Sequence, residues 1–176
     1  MSGQIDRRAF LNMGYGMYIV STEAEGKANG QIANTVFQVC SNPPLIAAAI
    51  SKNNLTHEYI LKAKKFSITI LDEETPMIFI GTFGFRSGRV IDKFEKTAHT
   101  KGESGVPVVT EHATAVFELK LVDQADAVTH TLFIGEVTRA EVLNEKSSLT
   151  YKHYREVIKG KTPVDSPTFI PEEKKN

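Results

Sequence analysis

Leu45-Ile46-Ala47-Ala48-Ala49-Ile50 is a run of six apolar residues, closed on one side by Pro43-Pro44 and on the other by Ser51-Lys52-Asn53-Asn54. A short stretch without polar alternation, bounded by turn signals, reads as a central strand buried on both faces. Other segments supply partners for it. Residues 16–22 are rich in β-formers, and Glu23 to Gly30, with Gly26 and Asn29-Gly30, reads as a hairpin connection. A second strand is expected from Gln31 to about Ser41. Its faces divide into Ile32, Asn34, Val36, Gln38, Cys40 and Ala33, Thr35, Phe37, Val39.

Further strands are expected over Phe66–Leu71, Thr114–Asp123 and Ala127–Val142. In the second of these, Ala115, Phe117, Leu119 and Leu121 point inward, with Glu118 and Lys120 outward. Gly135 in the third marks a bulge or a close backbone approach. Two short helices interrupt the strands. Asn54 is placed to cap one over Leu55–Lys64, and Thr75-Pro76 opens another to about Thr82. Residues 81–89 and 97–106 read as loops. About six strands and two short helices make the chain mainly β, a closed barrel rather than an α/β sheet. Gly14-Tyr15-Gly16 precedes a strand instead of opening a helix, so no Rossmann fingerprint is present.

The chain of 176 residues fits one domain, with 41% hydrophobic and 24% charged residues as in ordinary globular proteins. Twenty-one basic residues balance 21 acidic ones, which argues against a general nucleic-acid binder and against an anionic membrane surface as partner. Cys40 is the sole cysteine and reads as a small buried hydrophobe. No Cys-x-x-Cys pair or spaced histidines offer a metal site. The first residues lack a long apolar stretch, so a cytoplasmic, reduced location is expected.

Three constellations carry possible chemistry. Ser51-Lys52-Asn53-Asn54-Leu55-Thr56-His57 sets hydroxyls and a lysine at the expected start of a helix, where free amides favour an anion. The plain alternative is a capped helix beside a solvated lysine. Gln31, Asn34 and Thr35 are either solvent-facing strand residues or donors and acceptors for a hydrogen-bonding ring. His130, between Thr129 and Thr131, is either a surface or core histidine or a proton-handling group. No nucleophile elbow or paired-carboxylate pattern stands out, so an enzyme built on these residues would lean on a bound cofactor.

Gly30-Gln31-Ile32-Ala33-Asn34-Thr35-Val36-Phe37-Gln38, Ser41-Asn42-Pro43-Pro44-Leu45-Ile46 and Phe83-Gly84-Phe85-Arg86-Ser87-Gly88 occur in this order along the chain. Thr129-His130-Thr131-Leu132-Phe133-Ile134-Gly135-Glu136-Val137 and Leu149-Thr150-Tyr151-Lys152 follow. With these segments the chain resembles the flavin reductase family, nearest the subgroup of archaeal ferric reductase, flavoredoxin and the flavin half of high-molecular-weight rubredoxins. The resemblance implies a single-domain FMN-binding split β-barrel, Greek-key-like, over residues 1–176, acting as a homodimer. It implies an NAD(P)H-dependent flavin oxidoreductase that passes electrons to free flavin, an iron chelate or a small rubredoxin-like protein on a separate chain. The alternative is an FMN electron carrier that does not use NADH or NADPH.

By the same resemblance, Gln31, Ala33, Asn34 and Thr35 would line the isoalloxazine. Ser51, Lys52, Asn54, Thr56 and His57 would hold the ribityl chain and phosphate, with Phe85, Arg86 and Ser87 nearby. Tyr151 would cover part of the pocket, and His130 would stand where a nicotinamide or acceptor docks. Some iron-reducing relatives carry a cysteine in the strand occupied here by Ala49, which weakens a specifically ferric reading.

Overall fold

The computed structural model describes residues 5–171. Nine strands follow the order β1 (Tyr18–Ala24), β2 (Lys27–Ala33), β3 (Val36–Ser41), β4 (Pro44–Ser51), β5 (Lys65–Leu71), β6 (His99–Lys101), β7 (Pro107–Val109), β8 (Ala113–Ala127) and β9 (His130–Val142). The helices are α1 (Leu55–Ala63), α2 (Met77–Gly84) and α3 (Tyr151–Glu156). Seven strands form one antiparallel sheet in the order β2-β1-β5-β8-β9-β4-β3, and β6 pairs with β7 separately.

The edges of that sheet explain its shape. β2 and β3 stand at opposite ends of the strand order, yet Asn34 and Thr35 alone connect them. Three peptide units reach at most about 11 Å, so the edges must be neighbours. The sheet therefore curls into a barrel whose seam between β2 and β3 is closed by covalent chain rather than by a hydrogen-bonded ladder. This is the split barrel expected above. The single long strand expected over residues 31–41 is corrected to two, because β2 pairs with β1 while β3 pairs with β4.

Val20, Ile46, Ala48, Ile50, Phe66, Ile68, Leu119 and Phe133 fill one core cluster, with Ile60 of α1 against them. The opposite face of β1 places Ile19 in a second cluster with Met17, Ile80 and Phe83 of α2, and Tyr151 and Tyr154 of α3. β4 buries Ile46, Ala48 and Ile50 on one face in the first cluster, whereas on its other face only Ala47 is fully buried and Leu45 and Ala49 are half-buried, so the expected burial on both faces holds for one face and part of the other. Gly135 is a close approach: an added Cβ would lie 2.8 Å from both Leu119 Cβ and Phe66 Cζ.

Several local expectations change. Val128-Thr129 turns the β8–β9 hairpin, with Val128 at φ 59°, so residue 127 ends one strand and His130 begins the next. Gly81–Gly84 is helical rather than loop, and residues 97–106 contain β6. Pro76 is the cap of α2 rather than its first residue, while the Thr75 hydroxyl donates to the Asp72 carbonyl at 2.6 Å. Asn54 sits at the cap of α1 without a side-chain capping bond. Glu118 is buried, not outward: its carboxylate accepts from the Glu103 and Ser104 amides at 3.1 and 2.8 Å, beneath the β6–β7 arm. Cys40 is only partly buried, on edge strand β3. Among the described residues, no helix is long and apolar enough to cross a membrane.

Candidate functional site

A cavity of about 300 Å³ opens beside the seam, between β2, the β4–α1 turn, the 84–93 segment and the chain after α3. The β4–β9 register builds one wall, because Ser51 pairs with His130 across the ladder. The period-two alternation of β2 builds another: Asn29, Gln31 and Ala33 fall on one face and all line the cavity.

One end is made by the start of α1. Ser51, Asn53, Asn54 and Thr56 meet Phe85, Arg86, Ser87 and Gly88 there. The His57 amide already donates to the Asn54 carbonyl at 3.0 Å and the Asn54 amide to the Ser51 carbonyl at 3.1 Å, which leaves the Leu55 and Thr56 amides at the positive end of the helix dipole. Together with Arg86 this end suits an anion.

The other end is amide-rich. Asn34 Nδ2 donates to Thr168 Oγ1 at 2.6 Å, and the Thr35 hydroxyl donates to Asn34 Oδ1 at 3.2 Å. Beside the anion end, Asn29 is 3% exposed, donates through Nδ2 to Thr56 Oγ1 at 2.8 Å and sets Oδ1 against Gly88, where an added Cβ would lie 1.9 Å away. Asn29 Oδ1 and Gln31 Oε1 are buried without a partner. A buried acceptor left unpaired is unfavourable, and both atoms belong to cavity-lining residues, so they fit a ligand that brings donors.

Lys93 is buried at the cavity floor. Its ammonium donates to the Gly30 carbonyl at 2.8 Å and to the Phe83 carbonyl at 3.2 Å, at the end of α2. Burial pushes its pKa down to about 8. His130 accepts at Nδ1 from the Thr129 hydroxyl at 2.9 Å and donates from Nε2 to the Asp165 carbonyl at 3.1 Å. The carbonyl accepts only, so the assigned tautomer carries its proton on Nε2.

The structure therefore gathers Gln31, Ala33, Asn34, Ser51, Asn54, Thr56, Phe85, Arg86, Ser87, His130 and Tyr151 around one cavity. Three of the expected residues do not line it. Thr35 stands behind Asn34, and Lys52 points outward to pair with Asp126. His57 is buried, with Nε2 2.8 Å from Thr131 Oγ1 and its ring 5.2 Å from that of Phe133. Burial, then the charge of Lys52, pushes the His57 pKa down. Ala49 lines the cavity itself. Among the lining residues, sequence reasoning missed Asn29, Lys93 and the stretches 161–163 and 165–167, and it named Asn53 only within the anion cluster. The two-residue spacing from Gln31 was a signal for Asn29.

The cavity offers a hydrogen-bonding surface, an anion end and a histidine that donates from Nε2. A flavin reductase like domain matches residues 10–158. The ferric-chelate reductase (NAD(P)H) of Archaeoglobus fulgidus is 48% identical over 166 residues, covering 94% of this chain and 98% of that protein. The high molecular weight rubredoxin of Moorella thermoacetica is 44% identical over 165 residues, covering 94% of this chain and 72% of the relative. A solved FMN-binding protein from Thermus thermophilus, with bound 1-cyclohex-2-enone, superposes with a TM-score of 0.71 at 27% identity, over 81% of this chain and 78% of that one. Likeness of that extent, on a barrel of the same build, makes this chain a member of the flavin reductase like domain family.

Proposed function

We propose that the protein is an NAD(P)H-dependent oxidoreductase that holds FMN without a covalent bond and passes electrons to free flavin, an iron chelate or a small redox protein. The observation that carries this reading is the pair of orphaned buried acceptors, Gln31 Oε1 on the wall of β2 and Asn29 Oδ1 beside the anion-favouring end. A polar heterocycle joined through a hydroxylated chain to a phosphate has donors and charge in that order. FMN, when bound, supplies the electron-accepting ring.

In this reading Gln31 and Asn34 face the ring edge, Asn29 meets the hydroxylated chain, and Ser51, Asn53, Asn54, Thr56, Arg86 and Ser87 hold the phosphate. Thr35 fixes the Asn34 amide from behind. His130 presents Nε2–H to the carboxamide of the nicotinamide or hands on a proton, while Thr129 fixes its tautomer. A nicotinamide held about 3–3.5 Å from its acceptor gains most of its rate from positioning. The similar ferric-chelate reductase and the rubredoxin relative support an iron chelate or a rubredoxin-like protein as acceptors.

Residues 1–176 act as one domain and as a homodimer in the cytoplasm in this proposal. Half-exposed Phe37 and Val39 on edge strand β3 support a second copy. Sedimentation at several concentrations tests that part. The main test is an anaerobic visible spectrum followed through stoichiometric NADH and then NADPH. Rapid bleaching of flavin bands is expected. Bands that bleach only with dithionite would mark an electron carrier, and a protein that stays colourless with added FMN would sink the cofactor assignment.

A further inference from the structure

The family match ends at residue 158, and the chain that follows turns back over the cavity. Lys159 sits at φ 59°, and an added Cβ on Gly160 would lie 2.0 Å from the Tyr154 ring, so the turn is tight. The near end is pinned: Tyr154 OH donates to the Lys161 carbonyl at 2.7 Å, and Tyr151 OH bonds the Thr162 hydroxyl. Beyond it, residues 163–168 contain no buried residue.

Polar contacts fasten that outer stretch to the site. Asn53 Nδ2 donates to Asp165 Oδ1 at 3.0 Å, His130 Nε2 donates to the Asp165 carbonyl at 3.1 Å, and Asn34 Nδ2 donates to Thr168 Oγ1 at 2.6 Å. The occupied groups decide what the stretch does. Both His130 nitrogens are engaged, one by Thr129 and one by the strap. Asn34 is likewise engaged at both ends, by Thr35 and by Thr168. A substrate that needs the His130 proton cannot have it while Asp165 does.

We infer that residues 163–168 form a strap that competes with the nicotinamide dinucleotide for His130, and that the strap lifts from the Tyr151–Tyr154 anchor when the dinucleotide binds. This rests on the function proposed above. An outer stretch without a buried residue, held by two exposed hydrogen bonds and one half-buried one, belongs to the easily opened part of a structure. A site closed for most of the time binds its ligand more weakly by the open fraction.

The test uses the full chain carrying Asp165→Ala with Thr168→Val, and Thr168→Val alone as a milder second variant. FMN affinity is titrated by quenching of flavin fluorescence on flavin-free protein. Affinity of the flavin-loaded protein for oxidised NAD⁺ and NADP⁺ is then measured by calorimetry. The double variant is expected to bind the dinucleotide roughly three- to tenfold tighter, with the single variant between it and wild type, and FMN affinity within about twofold. Unchanged or weaker dinucleotide binding would overturn the strap as a competitor. Loss of FMN affinity would overturn it too, making the segment part of the flavin site. Wild-type protein that takes up no FMN would overturn the underlying function, and that result is read before any dinucleotide is added.

Discussion

Replacing Lys93 with methionine keeps the shape of the side chain and removes its charge. Wild-type Lys93 is 5% exposed, and burial pushes its pKa from 10.5 down to about 8. In the unfolded chain the amine keeps its ordinary value. Between the two values the unfolded state holds more protons than the folded state, so stability rises with pH across this window. The benefit is complete above the unfolded value and is lost as pH falls through the folded one. At about 1.4 kcal/mol for each pH unit, roughly 2.5 kcal/mol of relative stability accrues between pH 7 and pH 10.

Urea unfolding of both proteins at pH 7, 8, 9 and 10, followed by far-ultraviolet circular dichroism, reads this directly. Titrations elsewhere cancel in the difference between the two proteins. The stability of wild type minus that of Lys93→Met is expected to climb by about 2.5 kcal/mol, or about 5–10 °C in Tm for a chain of this size. The intercept at pH 7 also contains the loss of two carbonyl partners, so the slope is the diagnostic quantity. A difference flat to within about 0.5 kcal/mol would refute the burial argument for Lys93.

Asn29→Ala is expected to weaken FMN about tenfold, near 1.4 kcal/mol, by removing the acceptor at the cavity wall; an unchanged dissociation constant would remove Asn29 from the ligand's path. His130→Ala is expected to slow reduction by NAD(P)H about 10²-fold while FMN stays bound, and loss of flavin on that substitution would reassign His130 to cofactor binding. Gly135→Ala is expected to lower stability by about 1–3 kcal/mol through overpacking against Leu119 and Phe66. An unstrained site would instead gain stability, so the sign of the shift in urea midpoint decides.

Much of the barrel is written locally. Leu45–Ile50 and Phe66–Leu71 declare their strands by an unbroken apolar run and by alternation, and both lie within strands of the observed sheet. The break at Asn34-Thr35 declares itself only weakly, as two adjacent polar residues between the apolar pairs Ile32-Ala33 and Val36-Phe37, with no glycine or proline to mark a turn. Only the change of partner, from β1 to β4, creates two strands. Glu118 misleads for a related reason. A charged residue in an alternating strand predicts solvent, and the β6–β7 arm that covers it comes from a segment with no strong strand signal. Within the site, Ser51 and His130 lie far apart in sequence and meet through the β4–β9 register. Lys93 gives no local sign of its role, since its acceptors are backbone carbonyls on two other elements.

The link of Asn34 and Thr35 has a consequence for how ligand size is set. The Thr35 carbonyl accepts from the Ala49 amide at 3.0 Å, so the link is docked on β4 and tied to both edges of the barrel. The distance from β2 to β4 across the cavity is thereby governed by a residue count, like the gap of a caliper. Substitutions at these positions change what the gap touches, whereas one inserted residue adds up to about 3.5 Å of reach. Inserting a glycine between Asn34 and Thr35 is therefore expected to shift binding toward bulkier flavins, and a ratio of FMN to FAD affinity that does not move would show that side chains set the width instead.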